Sequence, residues 1–160
     1  MVTKKEPKAD RPSPPKSYGI RTDLGGMLPW ASVRERIEQS HNYWISSTRP
    51  DGRPHVMPVW GVCLDGATYF GTDRTSTKAR NLGANPAAVM HLESGDDVVI
   101  LEGMVRRIID KKEIAAVDAA YLVKYKMKLT DAPGELFLCA FEPKLGLAWH
   151  EKTFPVSATR

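Results

Sequence analysis

Long hydrophobic runs are missing from this 160-residue chain, and none approaches the roughly 20 apolar residues that a membrane-spanning helix needs. The opening stretch MVTKKEPKADRPSPPK also lacks the apolar middle of a secretory signal, so the expected location is the cytoplasm. Cysteine is scarce: Cys63 and Cys139 lie far apart in strand-like apolar runs, a spacing that suits buried free thiols rather than a metal centre. The four histidines (His41, His55, His91 and His150) are scattered without ligand spacing, which leaves little basis for a metal site. There is no GxxxxGK[ST] phosphate loop, and Ser46 and Ser47 lack the setting of a nucleophile elbow.

Excess charge is almost absent as well once its position is considered. The formal net charge is +4, but residues 1–16 hold five bases against two acids, a net +3, which leaves +1 for everything else. Pro7, Pro12, Pro14 and Pro15 lie in the same segment. Residues 1–25 are therefore expected to form a flexible basic, proline-rich tail, and 26–160 the folded domain. A nucleic-acid partner is not favoured, because most of the net charge lies in this tail and the rest of the chain is close to neutral.

What is present is a globular pattern, with 42% hydrophobic and 26% charged residues. Trp30, Val33 and Ile37 recur at helical spacing within 28–41. NYWISSTR reads as a strand and PDGR as a turn, followed by a long apolar strand over 54–64 interrupted by Pro58. Proline donates nothing to a sheet ladder, so Pro58 marks an edge, a bulge or backbone covered by something other than a strand. Asp65-Gly66 is a hairpin signal, with ATYFGT as the return strand. Residues 87–93 and 97–109 suggest another hairpin, with a bend or bulge at Gly103. A helix over 110–127 is capped by Asp110 and presents Ile114, Val117, Tyr121 and Tyr125 on one face, and ELFLCAFEP and KLGLAWH read as two closing strands. The sum is an α+β, mainly β domain, best described as an antiparallel barrel or curled sheet with peripheral helices.

GTDRTSTKARN, residues 71–81, is the segment richest in chemistry. It combines Arg74, Lys78 and Arg80 with the hydroxyls of Thr72, Thr75, Ser76 and Thr77 where a strand runs into a helix. Ser76 is a natural N-cap. The first helical turn offers unpaired N–H groups and a positive dipole end, so an anion held there gains hydrogen bonds and the Lys78 charge. The alternative is a capped basic helix whose cations simply face water. Glu102 sits mid-strand and could pair with a cation, whereas Glu93, Asp96 and Asp97 suit a solvated turn. Trp44, Trp60 and Trp149 are core anchors or walls for an aromatic ligand.

The ordered set RPDGRPHVMPVW, the DG turn, YFGT, STKARNL, ANP and VMHLE resembles the pyridoxamine 5′-phosphate oxidase-like split β-barrel family over roughly residues 30–150. Within that family it is most similar to the flavin- and deazaflavin-dependent oxidoreductases. The resemblance implies an antiparallel split β-barrel of the FMN-binding type and a homodimer with the cofactor between subunits. It places a phosphate at Ser76, Thr77 and Lys78, with Thr72 beside them and Arg74 or Arg80 as second cations. His55, Val56, Met57, Pro58, Val59 and Trp60 would lie beneath the tricyclic ring, and Trp149 on the closing strand would approach it. The implied cofactor is the deazaflavin coenzyme F-420, slightly favoured for its anionic tail, or FMN. The implied substrate is a small conjugated organic molecule. Such chemistry belongs to the cofactor, so no catalytic acid or base is assigned. Thr77 stands where the oxidase pattern carries a second base, which argues against true pyridoxamine phosphate oxidase activity. A binding protein for a flavin, haem or other planar ligand is the alternative on the same fold.

Overall fold

The structure, a computed structural model, describes residues 7–160. Helix α1 (Trp30–Gln39) leads into β1 (Asn42–Thr48), β2 (Pro54–Trp60), β3 (Val62–Leu64) and β4 (Ala67–Asp73). Helix α2 (Thr77–Ala84), β5 (Ala87–His91), β6 (Asp97–Arg107), α3 (Lys111–Tyr125), β7 (Leu136–His150) and the short α4 (Phe154–Ser157) follow. All seven strands join one antiparallel sheet in the order β2-β1-β5-β6-β7-β4-β3. The two outermost strands are consecutive in the chain, separated only by Gly61. The sheet is therefore curled into a split barrel.

Local chemistry explains the elements. Asp65 and Gly66 both take positive φ (50° and 78°), the geometry of a tight hairpin turn between β3 and β4. Ser76 caps α2, accepting a bond from the Ala79 N–H at 3.0 Å, and Asp110 caps α3 through the Glu113 N–H at 2.8 Å. Pro58 resides on an edge strand, where one side of the backbone needs no partner. Alternate residues Tyr43, Ile45 and Val59 point inward and join Phe70, Met90, Leu101 and Phe141 in the main core, over which α1 lays Val33 and Ile37. Helix α3 closes a second cluster with Val117 and Tyr121.

Two strand boundaries differ from the sequence expectation. The 54–64 stretch divides at Gly61 rather than at Pro58, because edge placement accommodates the proline without a break. The expected pair of closing strands is a single 15-residue strand, β7. Its register shifts opposite Glu102 and Gly103, so that Lys144 is left as the extra residue between Pro143 and Leu145. The bulge absorbs Pro143 and requires glycine across from it, since a Cβ at Gly103 would stand 2.2 Å from the Glu142 carbonyl oxygen. The bulge anticipated at Gly103 is there.

Arg11 ties the two ends of the chain together. Its buried guanidinium donates to the carbonyls of Asp23, Gly25, Val156 and Ala158 at 2.6–2.9 Å. Asp10 and Arg160 exchange backbone bonds beside it. No helix among the described residues is long and apolar enough to cross a membrane.

Candidate functional site

The end of β4, the start of α2 and the neighbouring ends of β1 and β2 converge on one point. Thr72, the last inward polar residue of β4, brings its hydroxyl within 3.0 Å of Ser76 Oγ. The N–H groups of Thr77 and Lys78 lie in the first turn of α2, where no intrahelical acceptor exists. Lys78 is only 7% exposed. Its Nζ stands 5.9 Å from the centre of the Phe70 ring, and no carboxylate or hydrogen-bond acceptor among the described residues meets it. Burial holds its pKa below the usual lysine value. An ammonium withdrawn from water without a counterion is costly, and such groups are normally paired.

His55 on β2 faces the same point. Its Nδ1 is buried without a partner among the described residues, and burial, followed by the nearby Arg49 and Lys78 charges, lowers the imidazole pKa. Arg49, half-buried just beyond β1, makes no salt bridge among the described residues, although its charge acts on the exposed Asp51 of the following turn. A buried polar chain links these elements: Asn81 donates to Ser47 Oγ at 3.1 Å, and Ser47 donates to the His55 carbonyl at 3.5 Å. Helix α2 is thereby clamped to β1 and β2. The result is a donor-rich recess in which no carboxylate among the described residues pairs with Lys78, a setting chemically suited to a phosphate.

The structure distributes the other predicted residues unevenly. Thr77 accepts from Arg80 at 3.3 Å, but Arg80 itself faces solvent. Arg74 turns outward to Glu135 at 3.5 Å. Val59 is buried in the core, whereas Val56, Met57 and Trp60 are each about half exposed and Pro58 lies beside them. Trp60 is five residues from His55, about 17 Å along the strand, and stacks on Tyr125 at 4.8 Å. Trp149 sits near the opposite end of β7 from Phe137, the partner of Thr72, and donates to Glu151 at 3.2 Å. Within one chain it is not brought to Lys78. Neither Trp44, stacked on His91, nor Trp60 nor Trp149 is a core anchor. Glu102 makes no ion pair among the described residues and borders a groove of about 450 Å³ on the outer sheet face, with Ser46, Met104 and Lys144. Of the two thiols, Cys139 is fully buried, its pKa pushed up to about 12 by that burial, while Cys63 is partly exposed. Among the described residues no cluster of His, Cys, Asp or Glu could hold a metal ion.

Arg49, Ser47 and Asn81 are site residues that sequence reasoning missed. One signal was available for Asn81: it falls three residues after Lys78, on the same face of a helix that otherwise buries Ala79 and Leu82.

A curled antiparallel sheet with a basic strand-to-helix junction defines a split-barrel protein. The family comparison agrees: the model described as pyridoxamine 5′-phosphate oxidase matches residues 30–145. The chain belongs to that family. Among solved structures it is similar to the conserved hypothetical protein Rv2991 of Mycobacterium tuberculosis, with 20% identity and a TM-score of 0.71 over 83% of this chain and 90% of that one. It is also similar to an F420 reductase (23% identity, TM-score 0.57, 71% of this chain and 94% of that one). The haem storage protein HutZ of Vibrio cholerae is a further likeness (14% identity, TM-score 0.63, 72% of this chain and 89% of that one). At these identities the likenesses establish the fold. No curated protein matches the chain in sequence.

Proposed function

We propose that the protein is an oxidoreductase that holds a flavin-type cofactor, the deazaflavin coenzyme F-420 or FMN, in a pocket at a homodimer interface and transfers hydride to or from a conjugated small molecule. One observation carries the reading. Lys78 is buried and has no counterion among the described residues, and it lies beside two N–H groups without an intrahelical acceptor and two hydroxyls, a donor set that supports anion binding. The orphaned Nδ1 of His55 on the facing strand agrees with that. Family membership supports reading that anion as the phosphate of a flavin-type cofactor.

Within this reading Lys78 binds the phosphate charge, the Thr77 and Lys78 N–H groups orient it, and Thr72 and Ser76 complete the donor set. The cofactor, when bound, supplies the hydride chemistry. The exposed apolar residues of β2 (Val56, Met57 and Trp60), with Met104 on β6, support an interface that keeps water from the ring. Arg49, whose charge acts on His55, supports the more anionic deazaflavin over FMN. A second reading, planar-ligand binding without turnover, draws support from the haem storage protein that shares the fold.

Fluorescence-quenching titrations with FMN and with the deazaflavin coenzyme test the binding, and a reductase-coupled screen of conjugated acceptors tests the turnover. Saturable binding of one cofactor and its oxidation by an acceptor is the expected result. Binding without hydride transfer to any acceptor favours the second reading, and binding of neither cofactor removes both.

A further inference from the structure

The recess contains a titratable group that a phosphate site does not require. Lysine and arginine stay charged across the physiological range, but histidine changes charge within it. His55 stands on β2 opposite Lys78 of α2 and beside Arg49 at the end of β1. Ser47 and Asn81 are its polar neighbours, and both are neutral. Among the described residues no carboxylate faces the imidazole from β1, β2 or α2. In the ligand-free protein, then, burial and two cations oppose a third positive charge, and Nδ1 has neither donor nor acceptor among the described residues. An anion arriving between these groups reverses the balance. It neutralises the repulsion from Arg49 and Lys78 and gives an imidazolium an opposite charge to face.

We propose that His55 takes up one proton when an anion enters the recess, so that this site binds phosphate and sulfate groups more tightly as the pH falls. The inference rests on the anion-site reading above and adds a regulation to it. The step balances simply: solvent supplies the proton, His55 passes from neutral to cationic, and no bond to the anion forms or breaks. The sign follows from linkage. The bound state has the higher His55 pKa, so the bound state holds the extra proton and affinity is lost as the pH rises through that value. The Asn81–Ser47–His55 carbonyl chain would keep the ring in register with Lys78 throughout.

Inorganic sulfate is the probe, because it remains a dianion between pH 5 and 8 and contributes no titration of its own. Binding is followed by calorimetry in buffers of different ionisation enthalpy, and the histidine Cε1–H resonances are titrated with and without sulfate. The expected result is uptake of about half a proton near pH 6.5, the fraction that a tenfold change over two pH units requires. One histidine resonance should move from a pKa below the usual 6.5 to a higher one, and affinity should be about tenfold greater at pH 5.5 than at 7.5. His55→Gln should abolish the proton uptake and the pH dependence while Lys78 still binds sulfate. Should that variant not fold, the wild-type resonance titration decides alone. Sulfate binding with no proton uptake and an unmoved His55 resonance overturns this inference and leaves the anion site standing. Absence of sulfate binding at every pH, together with equal affinities for FMN and riboflavin, overturns both.

Discussion

Replacing Lys78 by methionine removes a charge and keeps most of the aliphatic stem that packs near Phe70. Two effects of opposite sign follow. In the ligand-free protein the buried lysine has no counterion among the described residues, so its loss relieves a desolvation cost and stability should stay level or rise. In the liganded protein the same charge makes a charge-assisted bond to phosphate, worth about 1.5–3 kcal/mol. FMN affinity should then fall by roughly tenfold to a hundredfold. Thermal unfolding of the ligand-free pair and fluorescence titration with FMN measure the two halves separately. A pH series adds a check. Burial lowers the Lys78 pKa below 10.5, so the unfolded chain holds the extra proton and, for this group, stability rises as pH climbs from the folded pKa towards 10.5. The variant should lack that rise. A solvated lysine on a capped helix would leave both measurements unchanged, and a structurally paired one would lower stability by about 3–5 kcal/mol. Either outcome refutes the reasoning.

Other perturbations separate the site from its scaffold. Ser76→Asp retains a good N-cap, so unfolding should shift by less than about 1 kcal/mol, while a carboxylate in the recess should repel FMN phosphate and raise its Kd more than tenfold; retained affinity would place the anion elsewhere. Gly103→Ala drives a Cβ into the Glu142 carbonyl and the Phe141 ring, and thermal unfolding should report a loss of about 2–4 kcal/mol; an unchanged midpoint would mean the bulge yields freely. Arg11→Ala strips four carbonyls of one donor group and should cost about 2–4 kcal/mol, with faster hydrogen exchange concentrated in residues 156–160; uniform exchange protection would show that the strap is not needed.

Much of the fold was legible from local signals. The Asp65-Gly66 turn, the Ser76 and Asp110 caps and the alternation along β1 each report an interaction made within a few residues. The unbroken course of β7 was not legible, because Pro143 reads as a stop unless one knows that Gly103 lies opposite and permits a bulge. The site followed the same division. Thr72, Ser76, Thr77 and Lys78 are neighbours in sequence and announced themselves together. Arg49, Ser47 and Asn81 join them only through the pairing of β1 with β2 and the docking of α2, and no short motif encodes that geometry. Trp149 illustrates the converse. Its chemistry suits a ring system, but β7 carries it to the far end of the sheet from Lys78.

The most direct measurement compares FMN with riboflavin, identical in ring and ribityl chain and differing only in the phosphate. A recess built around an uncompensated buried cation should bind FMN at least tenfold more tightly, and Lys78→Met should erase most of that gap. Equal affinities for the two ligands in the unaltered protein would show that the start of α2 grips no phosphate.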